Sequence, residues 1–200
     1  MKRTTRFAAL LSSCFFLLAL PAFAQPAATP QPAAPPPQIN SNIIEGLVVG
    51  VTEGDRITVN SFGTEIHVRL YGVAAPQTAK VDKFTGWYKA GQPYAEDAFR
   101  ALSIKVLHQQ VKVEIRNTVL FRNDPTQLAV AVVYLDGRNI NLEMLNDGWG
   151  WAYKKFVNKM DLIHYLAAER GARARKSGLW LQVNPQPPWD FKPQPRIRAR

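Results

Sequence analysis

A chain of 200 residues with 25 Lys+Arg against 15 Asp+Glu has room for one core with appendages, and its charge favours polyanionic partners. Its one cysteine, Cys14, lies in an N-terminal apolar run, so the rest of the chain has no disulfide, zinc–thiolate site or cysteine nucleophile. No Ser/His/Asp set, phosphate-cradling glycine loop or HExxH pattern occurs, and His67, His108 and His164 lie far apart in the chain.

In chain order, Lys2, Arg3 and Arg6 precede an apolar stretch from Phe7 to Leu20, and Ala22-Phe23-Ala24 follows as a small-x-small cleavage site. Residues 1–24 are therefore expected to be a signal peptide, cut near Ala24, with the product periplasmic or secreted. An uncleaved anchor is the alternative. Leu11-Ser12-Ser13-Cys14 loosely resembles a lipoprotein box, but a cut there would expose Phe15 to Leu18. Without the leader, 22 basic residues face 15 acidic ones, a net charge of +7. No later stretch approaches a membrane span of about 20 apolar residues. Residues 25–41, rich in Pro and Ala, are expected to be a disordered tether.

The folded domain is expected over 42–181. Leu47 to Val51, Ile57 to Val59 and Ile66 to Leu70 are β-branched runs separated by Thr52-Glu53-Gly54-Asp55 and Asn60 to Gly63, the pattern of consecutive antiparallel strands. Alternation sets His67 and Arg69 on one face and Ile66, Val68 and Leu70 on the other. Arg69 is thus directed off the core, where a fixed phosphate-binding cation would sit.

Gln77 to Gly91 has no periodicity and interleaves Lys80, Lys83 and Lys89 with Phe84, Trp87 and Tyr88. It is expected to be a long surface loop. Cations between aromatics suit nucleic acid, the cation for phosphate and the ring for a base. The competing reading is that Trp87 and Tyr88 only pin the loop to the domain. Gln92-Pro93-Tyr94 is expected to open a helix with Ala95, Phe99, Leu102 and Val106 inward, and Glu96 and Asp97 as helix-end charges rather than catalytic carboxylates.

Val111 to Arg116 and Leu128 to Leu135 are read as further strands, with Asn117 to Gln127 as a connection. A short helix follows at Asn139 to Asn146, then an aromatic run from Gly148 to Tyr153. A last helix, capped by Asp161 and running to about Lys176, buries Leu162, Leu166 and Ala167 and ends at Gly178. Residues 182–200 form a Pro/Arg-rich tail, expected to be disordered apart from Trp189 and Phe191, which could dock. The order βββ-α-ββ-α-α implies an α+β, mainly β fold: a five-stranded OB-type Greek-key barrel with three helices. No internal repeat occurs, and a monomer is favoured.

From about Ile44 to Trp180 the chain resembles the staphylococcal nuclease (thermonuclease) family. The resemblance lies in Glu53-Gly54-Asp55, Val68 to Val73 before Pro76, Gln92-Pro93-Tyr94, Ala131 to Gly137 with Asn139 and Asn141, and Gly148 to Tyr153. It continues in Ala168-Glu169, Ala172-Arg173 and Lys176 to Trp180. It implies an OB-type barrel and calcium-dependent hydrolysis of DNA and RNA phosphodiesters. In that chemistry two carboxylates hold calcium, a glutamate acts on water, and two arginines stabilise charge on the phosphate.

The resemblance places Asp55 at the first metal carboxylate and Arg69 at the first arginine. Ala74 stands at the second carboxylate, Ala75 at the position after it, and Gln77 at the glutamate. Thr126-Gln127-Leu128 matches a Tyr-Gly-Arg turn, so Leu128 replaces the second arginine. Shifting register to recover Arg122 or Asp124 breaks the match at Ala131 to Gly137. An amide takes no proton near neutral pH. One carboxylate is a poor calcium site, since calcium takes about six to eight oxygens. Each lost charge-stabilising donor typically costs about 100-fold or more.

The expectation is a nucleic-acid- or polyanion-binding domain with hydrolysis lost or severely weakened. It uses Arg69, Lys80, Lys83, Trp87, Lys89 and Tyr153, although Tyr153 is equally readable as a packed aromatic. Calcium enters only if the domain is active. The alternatives are a nuclease rebuilt on Glu53, Asp55 and Glu65, and a cell-envelope protein-binding module using the aromatic loop and the Pro-rich segments.

Overall fold

A computed structural model describes residues 42–81, 86–121, 124–155, 157–193 and 197–198. The expected leader, the tether and Lys83 lie outside the described residues. Five strands carry the core: β1 (Ile43–Glu53), β2 (Arg56–Ser61), β3 (Thr64–Leu70), β4 (Gln110–Phe121) and β5 (Asp124–Leu135). They hydrogen-bond in the order β3-β2-β1-β4-β5, and a parallel pairing of β3 with β5, His67 opposite Leu128 and Leu70 opposite Ala131, closes the barrel. Closure leaves these strands no long open edge. Val48, Val59, Val68, Val113, Ala131 and Val133 fill the interior at 0% exposure, as alternation requires.

The strands β4 and β5 run further than the sequence suggests. Asn117 to Phe121 and Asp124 to Gln127 continue the ladder, with Val119 opposite Leu128, instead of forming a separate connection. The 77–91 segment also departs from the loop reading. Lys80–Val81 and Trp87–Lys89 pair as a small hairpin, Lys80 opposite Lys89, and Ile197–Arg198 adds a third rung beside Trp87 and Tyr88. These strands are too short and too exposed to carry an apolar alternation of their own.

Helix α1 (Ala95–Val106) buries Ala95, Ala98, Leu102 and Val106. Ala98 replaces the expected Phe99, and Pro93 lies before the helix, because Tyr94 sits at its N-cap with φ 64. Helix α2 (Ile140–Asn146) is capped by Asn139. Helix α3 (Lys159–Ala174) is capped three residues earlier than expected: Asn158, not Asp161, is the cap, its side chain accepting from the Asp161 N–H at 2.8 Å. Its buried residues are Tyr165, Ala168, Glu169 and Ala172 rather than Leu162, Leu166 and Ala167, and it ends at Ala174, before Gly178. Gly178 opens the 3-10 turn Gly178–Leu181, whose Leu179 and Trp180 join Trp151 and Ala172 in a second small core. Among the described residues no helix is long and apolar enough to cross a membrane.

Candidate functional site

The turn between β1 and β2 and the end of β3 converge on one point. Arg56 and Arg69 face each other across the β2–β3 ladder, and Asp55 precedes Arg56. Asp55 is 3% exposed, and its Oδ2 accepts from Arg69 Nε at 3.2 Å. Its Oδ1 is buried without a hydrogen-bond partner, 4.0 Å from Arg56 Nε. Burial pushes the Asp55 carboxyl above its usual pKa. The guanidinium of Arg69 opposes this, Glu53 adds to it, and Arg56 opposes it further. Glu53 lies 3.5 Å from Arg56 and also pairs with Lys80, so an alternating chain of charge runs Lys80–Glu53–Arg56–Asp55–Arg69.

Glycine makes the approach of Asp55 to the barrel end possible. A Cβ on Gly54 would lie 2.7 Å from Ala98 Cβ and 2.8 Å from Ala75 Cβ. That turn is therefore clamped between α1 and the segment after β3. Beyond β3 the chain turns at Gly72, φ +72, directly under the Tyr165 ring. The carbonyl of Gly72 accepts the Tyr153 N–H at 2.9 Å, which sets Tyr153 beside Arg69.

The Arg69 guanidinium carbon lies 5.4 Å from the Tyr153 ring centre, within cation–π range. Together they wall a cavity of about 190 Å³ whose other lining includes Arg56, Tyr71, Leu128 and Val130. Cationic at the rim and apolar at the floor, it suits a phosphate attached to a flat ring. Leu128 offers no hydrogen-bond donor here, as expected of its residue type.

The segment after β3 has a different role. Ala74 and Ala75 are buried, and Ala74 pairs with Trp151 in a two-residue ladder. Gln77 Nε2 donates to the carbonyl of Pro188 at 2.8 Å. The Gln77 N–H donates to Gln92 Oε1 at 2.9 Å, and Gln92 Nε2 donates to the carbonyl of Gln186 at 3.0 Å. The C-terminal segment is thereby strapped to the site, and Trp189 lies against Tyr153 with ring centres 5.7 Å apart.

The donor set does not fit calcium. The orphaned Asp55 Oδ1 is the kind of atom a cation would satisfy, yet two arginines crowd the same carboxylate and Ala74 supplies a methyl group. Among the described residues no group of three or more His, Cys, Asp or Glu could hold a metal ion.

The structure thus joins Lys80, Glu53, Asp55 and Arg69 in one run of charge and sets Arg69, Leu128 and Tyr153 around one cavity, whereas Gln77 meets this place only through the C-terminal segment, by Pro188 and the neighbouring Trp189. It does not bring in Glu65, which is exposed and pairs with Asn60 at the far end of β3. Trp87 and Lys89 are exposed on the hairpin and do not line the cavity. His67 is engaged with Thr58, its Nδ1 3.2 Å from the hydroxyl. Sequence reasoning missed Arg56, Gln92 and the strap. Arg56 was legible as the hairpin partner of Arg69. The strap was not, because it depends on side-chain amides meeting carbonyls remote in sequence.

A family model described as staphylococcal nuclease homologue matches residues 67–182. Over 151 residues the chain is 32% identical to an uncharacterized endonuclease of Haemophilus influenzae, covering 75% of this chain and 74% of the relative. It is 28% identical over 151 residues to a micrococcal nuclease of Shigella flexneri, covering 74% and 79%. It is 29% identical over 150 residues to an uncharacterized endonuclease of Escherichia coli O157:H7, covering 74% and 85%. The closed barrel, its three helices and these matches agree: the chain belongs to the staphylococcal nuclease homologue family.

Proposed function

We propose that this domain is an exported nucleic-acid-binding module whose metal-dependent hydrolysis is lost or severely weakened. The observation that carries the reading is the orientation of Gln77. At the position of the family's glutamate stands an amide, and its Nε2 is committed to the Pro188 carbonyl at 2.8 Å. An amide takes no proton from water near neutral pH, and one N–H of this one is spent on a backbone carbonyl. Arg69 and Tyr153 meanwhile supply a cation and a ring at the rim of one cavity. The basic balance of the whole chain favours a polyanion further. The leader sequence supports export.

The deciding experiment incubates the protein with single-stranded DNA, with and without calcium, and in parallel measures binding across a salt series. Binding that weakens linearly on log–log axes, without cleavage, is the expected result. Calcium-dependent cleavage abolished by Asp55→Ala would overturn it. Salt-independent association would point to a protein partner.

A further inference from the structure

A second cavity, of about 250 Å³, is lined by Trp189, whose ring lies against the Tyr153 ring that lines the first. Trp151 and Leu166 contribute apolar lining, Trp189 forms one wall, and Lys154, Arg170 and Arg173 supply its cations. Arg173 is committed: it pairs with Glu169 and stacks over Trp180 at 4.0 Å. Lys154 and Arg170 are exposed and have no ion-pair partner among the described residues. Two uncompensated cations beside an aromatic wall attract an anion that also carries a flat ring.

The C-terminal segment that carries Trp189 is fastened to the domain on either side of Pro187. Gln77 and Gln92 each spend a side-chain N–H on a carbonyl of that segment, at Pro188 and Gln186. Pro188 is buried while Trp189 remains 52% exposed. An indole fastened through its backbone neighbours, lining the second cavity and lying against the Tyr153 ring that lines the first, with about half its surface open, has the form of a stacking platform. Ring faces are offered to it by unpaired bases and not by a closed duplex.

We infer that the two cavities form one track for single-stranded nucleic acid, with Lys154 and Arg170 as a second phosphate subsite and the strapped Trp189 as the base platform between them. The inference rests on the nucleic-acid reading of the Arg69 cavity. It assigns Gln77 as a positioning residue for the platform.

The test titrates fluorescein-labelled oligothymidylates, a dinucleotide and an octanucleotide, into the full chain and follows anisotropy over a salt series. The octanucleotide is expected to bind more tightly than the dinucleotide. The double variant K154Q/R170Q, altered only at exposed side chains, should weaken the octanucleotide by about tenfold, make its salt slope shallower by about 1, and leave the dinucleotide unchanged. Trp189→Ala should weaken the octanucleotide by about tenfold, and Trp189→Phe should restore most of the loss. Inorganic polyphosphate, which has no bases, should be indifferent to both Trp189 variants. If K154Q/R170Q leaves octanucleotide affinity and slope unchanged while Arg69→Ala weakens both oligonucleotides, the second subsite is overturned and the Arg69 reading stands. If Arg69→Ala changes neither oligonucleotide, the Arg69 reading falls instead. Absence of binding by either oligonucleotide sinks both.

Discussion

Asp55 holds Arg69 through a 3.2 Å contact between Oδ2 and Nε, and it does so from a buried position with its other oxygen unpartnered. A carboxylate placed this way orients a guanidinium at the cost of its own hydration. Arg69 remains partly solvated, its side chain 30% exposed, so the desolvation falls mainly on the acid. Fixing the direction of the guanidinium beside the Tyr153 ring is what this arrangement achieves.

A pH dependence follows with a definite sign. Burial raises the Asp55 pKa above its ordinary value of 3.8, Arg69 only partly offsetting it, with Glu53 reinforcing and Arg56 opposing. The folded state therefore binds this proton more tightly than the unfolded state. The stabilisation is full below the unfolded pKa and is lost as pH rises through the folded one. Asp55→Asn should remove that loss. Urea denaturation at pH 7 is expected to find the variant at least as stable as the parent, with a flatter stability profile above pH 4. A large loss at pH 7 with the profile unchanged would show that the ion pair outweighs the burial.

Asn141 is expected to be the most sensitive polar position in the core. At 0% exposure its Oδ1 accepts the Val133 N–H at 2.9 Å, and its Nδ2 donates to the carbonyls of Tyr71 and Ala131 at 2.9 and 3.0 Å. One side chain thus ties α2 to β5 and to the turn that leads to Gly72. Asn141→Leu keeps the branched shape but removes the partner of the Val133 N–H and of the Tyr71 carbonyl, the Ala131 carbonyl still accepting the Tyr71 N–H at 2.7 Å, so a loss of about 3 kcal/mol is expected in urea unfolding. A loss below about 1 kcal/mol would mean that water replaces the amide.

The barrel was legible because each strand reports its own burial by alternation, and Gly-bearing turns at Gly54 and Gly63 mark the reversals. Arg69 was legible for the same reason, since one residue of parity decides its face. The inward face of α3 was not. It is built from Tyr165, Ala168, Glu169 and Ala172, where small residues admit close approach and Glu169 is buried to accept the Ala152 N–H at 2.8 Å. Hydrophobicity therefore points to the wrong stripe. The cap of that helix was missed because Asn158 and Asp161 both suit the role, and only geometry shows the first accepting from the N–H of the second. Strap and hairpin escape because neither has a core, and both depend on partners distant in the chain.

The strap can be released without unfolding the barrel. Gln77→Leu removes a 2.8 Å hydrogen bond worth about 1 kcal/mol, so the thermal midpoint should barely move. Chymotrypsin should then cut after Trp189 and Phe191, on the strap itself, several times faster than in the parent. Unchanged cleavage would mean that the Gln92 bond to the Gln186 carbonyl suffices to hold the segment.

The proposed loss of hydrolysis can be tested by substitution at the positions on which it rests. Ala74 is 2% exposed and paired to Trp151, and the next residue, Ala75, packs on Gly54 beside Asp55, so Ala74→Asp buries a second carboxylate on that side of the barrel. Without calcium this should cost at least about 2 kcal/mol, because two acids that share low dielectric cannot both ionise cheaply. Calcium should return that stability in the variant and have little effect on the parent. At a hundredfold excess over Kd the linkage gain is about 2.7 kcal/mol, readable as a thermal shift. Activity needs more than the ion. Gln77→Glu would supply the base and release the Pro188 carbonyl, and Leu128→Arg would return a donor to the cavity wall. Parts of one catalytic constellation act together, so single variants are expected to stay within a fewfold of the parent. The triple variant should cleave single-stranded DNA at least about 100-fold faster in calcium. If the parent already cleaves as fast as the triple variant, the reading of Gln77 and Ala74 as disabling substitutions is wrong.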